Sequence, residues 1–421
     1  MKPPFLFLFL LQLASFQLIG QDLGGKTTKM SEQDIKGRAI ESLDNWNYYM
    51  RNNLDSLKID AFEILFLGLE NKNNFAVNVG KRSLGSYLIR TGETEKGLTY
   101  LKSSNSYFEE REDYLIQTEI LNELGNGYLY AGKPVLAEKF FLKSLKCGKN
   151  SPDPTSAFLA EANLAQAYIN LRNYDKAEAY LQHYKTECIK IGKLESVANA
   201  YAHLGQIALI RKKHSLAKEY FQKSAGYGFK SKSKALIAHA YNNMAIAFFE
   251  ESKSDSSLAY FQKALELRLK TKNAKSISES YYNIGGLYVE LKQFDKALDY
   301  YVLCENYSKS KKLLKEEMDV NLAISDMYKM QKNYEKALIY SERYSDLLEK
   351  YYSELAIEQT ENHDVLQLLE EMELANRNDS YEARMYEQLN NQKYHTYLLY
   401  AALVVFVLAL IFLGIYKKKI N

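Results

Sequence analysis

The sequence predicts an all-α protein: an α-solenoid of about seven helix pairs, then a long helical stalk and one transmembrane helix. Three observations carry this. A motif recurs at one constant spacing without slippage, an acidic stretch follows it without Gly or Pro, and a segment near the end carries no charge. Composition agrees. Apolar residues make up 47% and charged residues 25%, which excludes disorder over most of the length. With 5 Pro and 20 Gly, there are too few turn formers for an all-β fold. The net charge of +3 is too small to argue for nucleic acid. Three Cys do not make a disulfide framework, and buried thiols are the expectation.

Residues 1–20 read as a signal peptide. Lys2 opens it, Phe5 to Leu13 is apolar except for Gln12, and Gly20 is small enough for cleavage. Residues 21–77, with Trp46, Leu57 and Ala61, are expected to form an N-terminal helical cap or a degenerate repeat.

The repeats fill residues 78–357. A small residue stands at Gly85, Gly125, Ala165, Gly205, Ala245, Gly285 and Ser325, each flanked by Leu, Met or Ile before it. A second small residue follows at Gly97, Ala137, Ala177, Ala217, Ser257, Ala297 and Ala337. A larger one comes four positions later, at Leu101, Phe141, Leu181, Phe221, Phe261 and Tyr301, and Ser341 breaks that column. Apolar residues at i, i+4 and i+7 share one helix face. The first small residue marks where a second helix crosses, and the larger residue fills the groove beside the crossing. Such pairs cannot bury their faces alone and must stack. Arg172-Asn173 and Lys332-Asn333 read as turns within pairs, with Gly92 and Gly132 at the same place. Asp153-Pro154 reads as an N-cap followed by Pro at the first helical position, and Ser276 with Glu279 as a capping box.

The pattern resembles the tetratricopeptide repeat. Tyr201-x-x-Leu204-Gly205-x-x-Ala208 with Ala217 and Phe221, and Tyr281-x-x-Ile284-Gly285-x-x-Tyr288 with Ala297 and Tyr301, follow its consensus. The period exceeds the usual length of about 34 residues, which we read as longer helices rather than inserted domains. The resemblance implies a concave face lined by first helices that holds a protein or peptide ligand. Asn163, His203, Asn243 and Asn283 share one column of the first helices, just before the small residue. Asn offers both a donor and an acceptor to a peptide backbone, so these four are the candidate binding residues. The bland alternative is a tolerated, half-buried polar column.

Residues 358–396 are expected to form an acidic helical stalk. From Glu349 to Gln392 there are 11 acidic and 3 basic residues, a net of −8, which leaves about +11 for the rest of a chain of net +3. Leu348, Tyr351, Leu355, Val365, Leu369 and Met372 follow alternating three and four spacing, interrupted at Glu358 and Asn362, a pattern open to a homodimeric coiled coil. Residues 397–416 (Tyr397 to Tyr416) are uncharged and long enough, at about 30 Å, to cross a hydrocarbon core. Lys417, Lys418 and Lys419 follow and place the cytoplasm on that side. Residues 21–396 are then extracytoplasmic, periplasmic in a bacterial inner membrane, with the short tail 417–421 inside.

Site chemistry is sparse. The chain has no G-x-x-x-x-G-K-[ST], H-E-x-x-H or paired C-x-x-C, so no enzyme activity, metal or cofactor is expected. The order of segments resembles periplasmic repeat regions of membrane sensors of the Bacteroidota, without their output domain. Two functions compete: an extracytoplasmic interaction scaffold, and a sensor subunit that couples binding outside to a separate kinase or transcription regulator. Lys418-Lys419-Ile420-Asn421 also has the form of a dilysine retrieval tail, a weaker reading.

Overall fold

The computed structural model describes residues 30–153 and 155–377. The expected signal peptide, transmembrane helix and tail, and the stalk beyond residue 377, lie outside the described residues. Among the described residues no helix is long and apolar enough to cross a membrane.

Sixteen helices are described, and no strand is among them. The chain divides into two compact units. Of the described residues, 30–80 and 360–377 belong to the first and 81–359 to the second.

In the first unit, α1 (Glu32–Asn52) and α2 (Leu54–Glu70) form a pair. Ser31 and Asp34 close a capping box at the start of α1, and Asn53 ends α1 and caps α2 through Ser56 N. Arg38 binds Asp60 at 2.9 Å and Glu63 at 3.3 Å across the pair. The sixteenth helix, α16 (Tyr334–Arg377), ends in this unit. Its Leu366 and Leu369 are buried within the chain itself. Of these two, Leu369 belongs to the apolar stripe that the sequence offers to a second copy.

The second unit holds the array. Its helices are α3 (Asn74–Arg90) from residue 81 onward, α4 (Thr94–Glu109), α5 (Tyr114–Tyr130), α6 (Pro134–Gly148), α7 (Ser156–Asn170), α8 (Tyr174–Lys190), α9 (Leu194–Ile210) and α10 (His214–Lys230), followed by α11 (Lys234–Glu250), α12 (Ser254–Thr271), α13 (Ala274–Glu290), α14 (Phe294–Ser310), α15 (Leu314–Met330) and α16 as far as residue 359. Most run seventeen residues, about 25 Å. Short connections make neighbours antiparallel. Seven pairs result, α3–α4 through α15–α16, and no inserted element interrupts a pair.

The small-residue columns are crossing points. A Cβ on Gly285 would stand 2.5 Å from Tyr301 Cδ1, and one on Gly205 or Gly125 would run into the ring of Phe221 or Phe141. Phe141, Phe221, Ala217 and Ala297 are fully buried there. In the last pair, where Ser341 replaces the aromatic, Ser325 Oγ donates to Ala337 O at 2.8 Å.

Left-handed residues end the helices at a constant step of half a repeat: Lys72, Gly92, Glu112, Gly132, then Arg172, Gly192, Lys212, Lys232, Ser252, Lys272, Lys292, Lys312 and Lys332. At α7 the amide of Arg172 donates to Ile169 O at 2.9 Å and that of Asn173 to Tyr168 O at 2.8 Å, a Schellman closure. The one step missed is 152. Pro152 sits there, and its ring locks φ in the negative range, so the connection lengthens. Asp153 is therefore not the N-cap that the sequence suggests. Its carboxylate accepts from Thr155 N at 2.9 Å, and α7 starts at Ser156 behind Thr155. The expected Ser276–Glu279 box is also displaced: Asn273 caps α13 through Ser276 N at 2.9 Å, and Glu279 faces Arg268 at 3.5 Å.

Candidate functional site

Four successive first helices, α7, α9, α11 and α13, each present one member of the polar column. Asn163 Nδ2 donates to Asn122 Oδ1 on α5 at 3.3 Å. Asn283 Nδ2 donates to Asn242 Oδ1 on α11 at 3.0 Å. These two amides therefore tie neighbouring first helices together, and each keeps its own carbonyl oxygen for another donor. His203 Nδ1 meets Gln206 Oε1 of its own helix at 3.2 Å. Asn243 is buried, and its Nδ2 has no hydrogen-bond partner among the described residues. The fold brings the four into one row, a repeat apart, without bonding them to one another.

Burial holds the His203 imidazole below the usual histidine range. His239 is lowered too, by burial first and then by His203 and Arg268. The column continues toward the N-terminus as Glu123, where burial raises the carboxyl despite Arg90 and Arg82. Arg82, 1% exposed, reaches Glu119 at 2.8 Å. At the other end, α13 and α15 flank an open cleft of about 400 Å³ lined by Glu279, Tyr282, Lys315, Asp319, Leu322 and Asp326. First helices thus carry a polar row with charged ends. Such a row can donate to and accept from an extended backbone.

A second feature escaped the sequence reading. Aromatic pairs stack across five of the seven helix pairs, the partners always at the same offset: Tyr128–Phe140 (5.1 Å), Tyr168–Tyr180 (5.6 Å), Phe248–Tyr260 (5.3 Å), Tyr288–Tyr300 (5.6 Å) and Tyr328–Tyr340 (5.8 Å). Lys176, Lys296 and Lys336 stand over the first ring of their pairs at 4.9, 5.5 and 5.3 Å. The detectable sign was the 35 Tyr falling on columns of the repeat. A cavity of about 560 Å³ opens beside one such pair, lined by Lys218, Phe229, Tyr241, Met244, Phe248 and Tyr260.

Cys147, Cys188 and Cys304 are free and buried, and burial raises each thiol. No group of His, Cys, Asp and Glu among the described residues could hold a metal ion.

Residues 236–307 match one tetratricopeptide repeat family profile, and residues 162–185 match another. No curated protein matches the chain in sequence. Among solved structures, a Rap protein in complex with Competence and Sporulation Factor is similar with a TM-score of 0.55 and 14% identity, over 83% of this chain and 94% of that one. Aspartyl phosphate phosphatase F from Bacillus subtilis follows with 0.53 and 14%, over 80% and 90%. The apo quorum sensor NprR from B. thuringiensis gives 0.50 and 17%, over 75% and 99%. At these identities the likeness is one of fold. The array is an all-α solenoid of helix pairs, and two stretches of it match tetratricopeptide repeat profiles.

Proposed function

We propose that the chain is a membrane-anchored scaffold that binds a protein or peptide along its first helices on the extracytoplasmic side. The observation that carries this is the row of Asn163, His203, Asn243 and Asn283, one per repeat, with the buried amide of Asn243 unpartnered among the described residues. An extended ligand offers backbone groups at intervals that such a row meets. One solved protein of the same fold, the Rap protein, is complexed with Competence and Sporulation Factor, and a peptide-like ligand here is the analogous reading. The anchor rests on the uncharged stretch 397–416 and the lysines after it.

Panning a random peptide library on the full chain in detergent tests the ligand. Peptides should be selected, and Asn243→Ala should weaken the best of them about tenfold, or ~1.4 kcal/mol, with little change in melting. No selected peptide would count heavily against the scaffold. Topology is tested separately. Protease added to spheroplasts should remove the repeats, while a reporter active only in the cytoplasm works when fused after Asn421. Protection until lysis would reverse the orientation and make the chain a tail-anchored cytosolic adaptor.

A second reading is favoured by α16. It starts as the second helix of the seventh pair and continues unbroken to Arg377, 44 residues in all. A helix that continues past the last repeat suits a sensor subunit that passes a binding event toward a separate kinase or regulator. Full activity of a chain lacking residues 397–421 would end that reading.

A further inference from the structure

Antiparallel neighbours put the connections within pairs at one end of the helices and those between pairs at the other. The two ends differ in charge. Between α10 and α11, α12 and α13, and α14 and α15, the segments 230–234, 270–275 and 309–315 carry ten lysines and no acidic residue. All ten are exposed. Lys270 is paired with Glu266 and Lys275 with Glu316. The other eight make no ion pair among the described residues. At the opposite end the matching connections are less basic: 250–254 holds Glu250, Glu251 and Lys253, 290–294 holds Glu290 and Lys292, and 330–334 holds Lys332 alone, while in 210–214, with Arg211, Lys212 and Lys213, Arg211 is paired with Asp175 and Glu178.

Exposed apolar side chains stand beside the lysines. Ile189, Phe229 and Leu269 occupy one column, a repeat apart, at the ends of α8, α10 and α12. They are 46%, 58% and 45% exposed, and Ile191 adds 44%. Three successive repeats leave this column uncovered. Lysines that surround projecting Phe, Leu and Ile are the composition of a surface that rests in a lipid headgroup layer. The cations meet phosphates, and the apolar tips enter the acyl boundary. Lysine suits this better than a bidentate site would, because it acts as a mobile point charge.

We infer that the edge formed by these between-pair connections docks on an anionic phospholipid bilayer. The occupant is the headgroup layer rather than a soluble ligand, because the cations form a row over three repeats and not a pocket. The edge has a polarity of its own. Between α4 and α5 the same edge carries Glu109, Glu110, Glu112 and Asp113 against Arg111, so contact is confined to the later repeats. The chain's net charge of +3 does not reveal this edge.

The inference uses the anchor of the proposed function only to bring the array near a bilayer, and the test separates the two. The full chain is reconstituted into nanodiscs of phosphatidylcholine alone, or of phosphatidylcholine with phosphatidylglycerol, and amide exchange is followed. Co-elution with both discs reports the anchor. Slower exchange across 229–234, 269–275 and 309–315 in the anionic discs alone, with 109–113 unchanged, is the result expected. The triple variant Lys232→Glu, Lys272→Glu, Lys312→Glu should lose that protection while melting like the parent. If the chain enters neither disc, phosphatidylglycerol vesicles added to the free chain decide the matter. Protection by them, weakened at least about 100-fold in the triple variant, supports the edge. Equal exchange with anionic and neutral lipid overturns it. So does equal protection by soluble polyglutamate over neutral discs, which would identify an acidic protein as the partner.

Discussion

Gly285 has no space for a side chain, since Tyr301 occupies the place where one would stand. Gly285→Leu is expected to cost about 1–3 kcal/mol or more by overpacking, read as a lower melting temperature. Adding Tyr301→Ala should recover part of the loss, and an unchanged melt would refute the crossing. This contact was legible in the sequence because both partners sit in fixed columns. The Asn122–Asn163 bond was not. It joins adjacent columns of two repeats, and which columns meet depends on the angle at which first helices cross. His203 gives a pH test. Burial depresses its imidazole, so the unfolded chain takes up a proton at a pH where the folded one does not. Stability should therefore fall as pH drops below the ordinary value of 6.5. His203→Asn, which copies its column, should flatten that slope in melts between neutral pH and the onset of carboxylate titration.

At the scale of the element, helix length is set by left-handed punctuation at every half repeat. Lys332 adopts φ +58°, where a Cβ costs roughly 1–2 kcal/mol. Lys332→Gly relieves that strain but loosens the unfolded chain by ~0.4–1 kcal/mol. A net gain of about 0.5–1 kcal/mol is expected in chemical denaturation, and a loss would mean that the lysine side chain itself stabilises the cap. The sequence marks Arg172-Asn173 and Lys332-Asn333 as turns, yet its local motif puts the cap of α13 too late. Ser276 and Glu279 have the right types for a capping box. Asn273, however, follows left-handed Lys272 in the same way that Asn173 follows Arg172. Position in the repeat outweighed local motif. Pro152 shows the converse, a single residue that breaks the step because its ring forbids the conformation.

Across the molecule, the array makes contacts mainly between neighbours, and its stability should be local. Gly285→Leu is expected to raise amide exchange in α12 to α15 and leave α5 and α6 protected. Uniform acceleration would mean that the repeats unfold as one cooperative block. The repeat count and its register could be read beforehand because seven copies average out the noise of any one. The proposed lipid-facing edge could not, since its successive clusters of lysine and apolar tips lie a whole repeat apart in the chain and form one edge only when the hairpins stack. The regular step also bears on heredity. Every pair of helices with both closures occupies the same length of gene, so unequal crossing-over between any two copies of that stretch deletes or duplicates one whole pair. Each new junction then joins a capped helix end to a capped helix start. A slip of half that length would instead set a second helix in a first helix's place and bring Phe221 against Ala217-type positions that have no groove for it. Such a gene can lengthen or shorten its product in steps of one pair, and in no smaller step, without inventing a new fold.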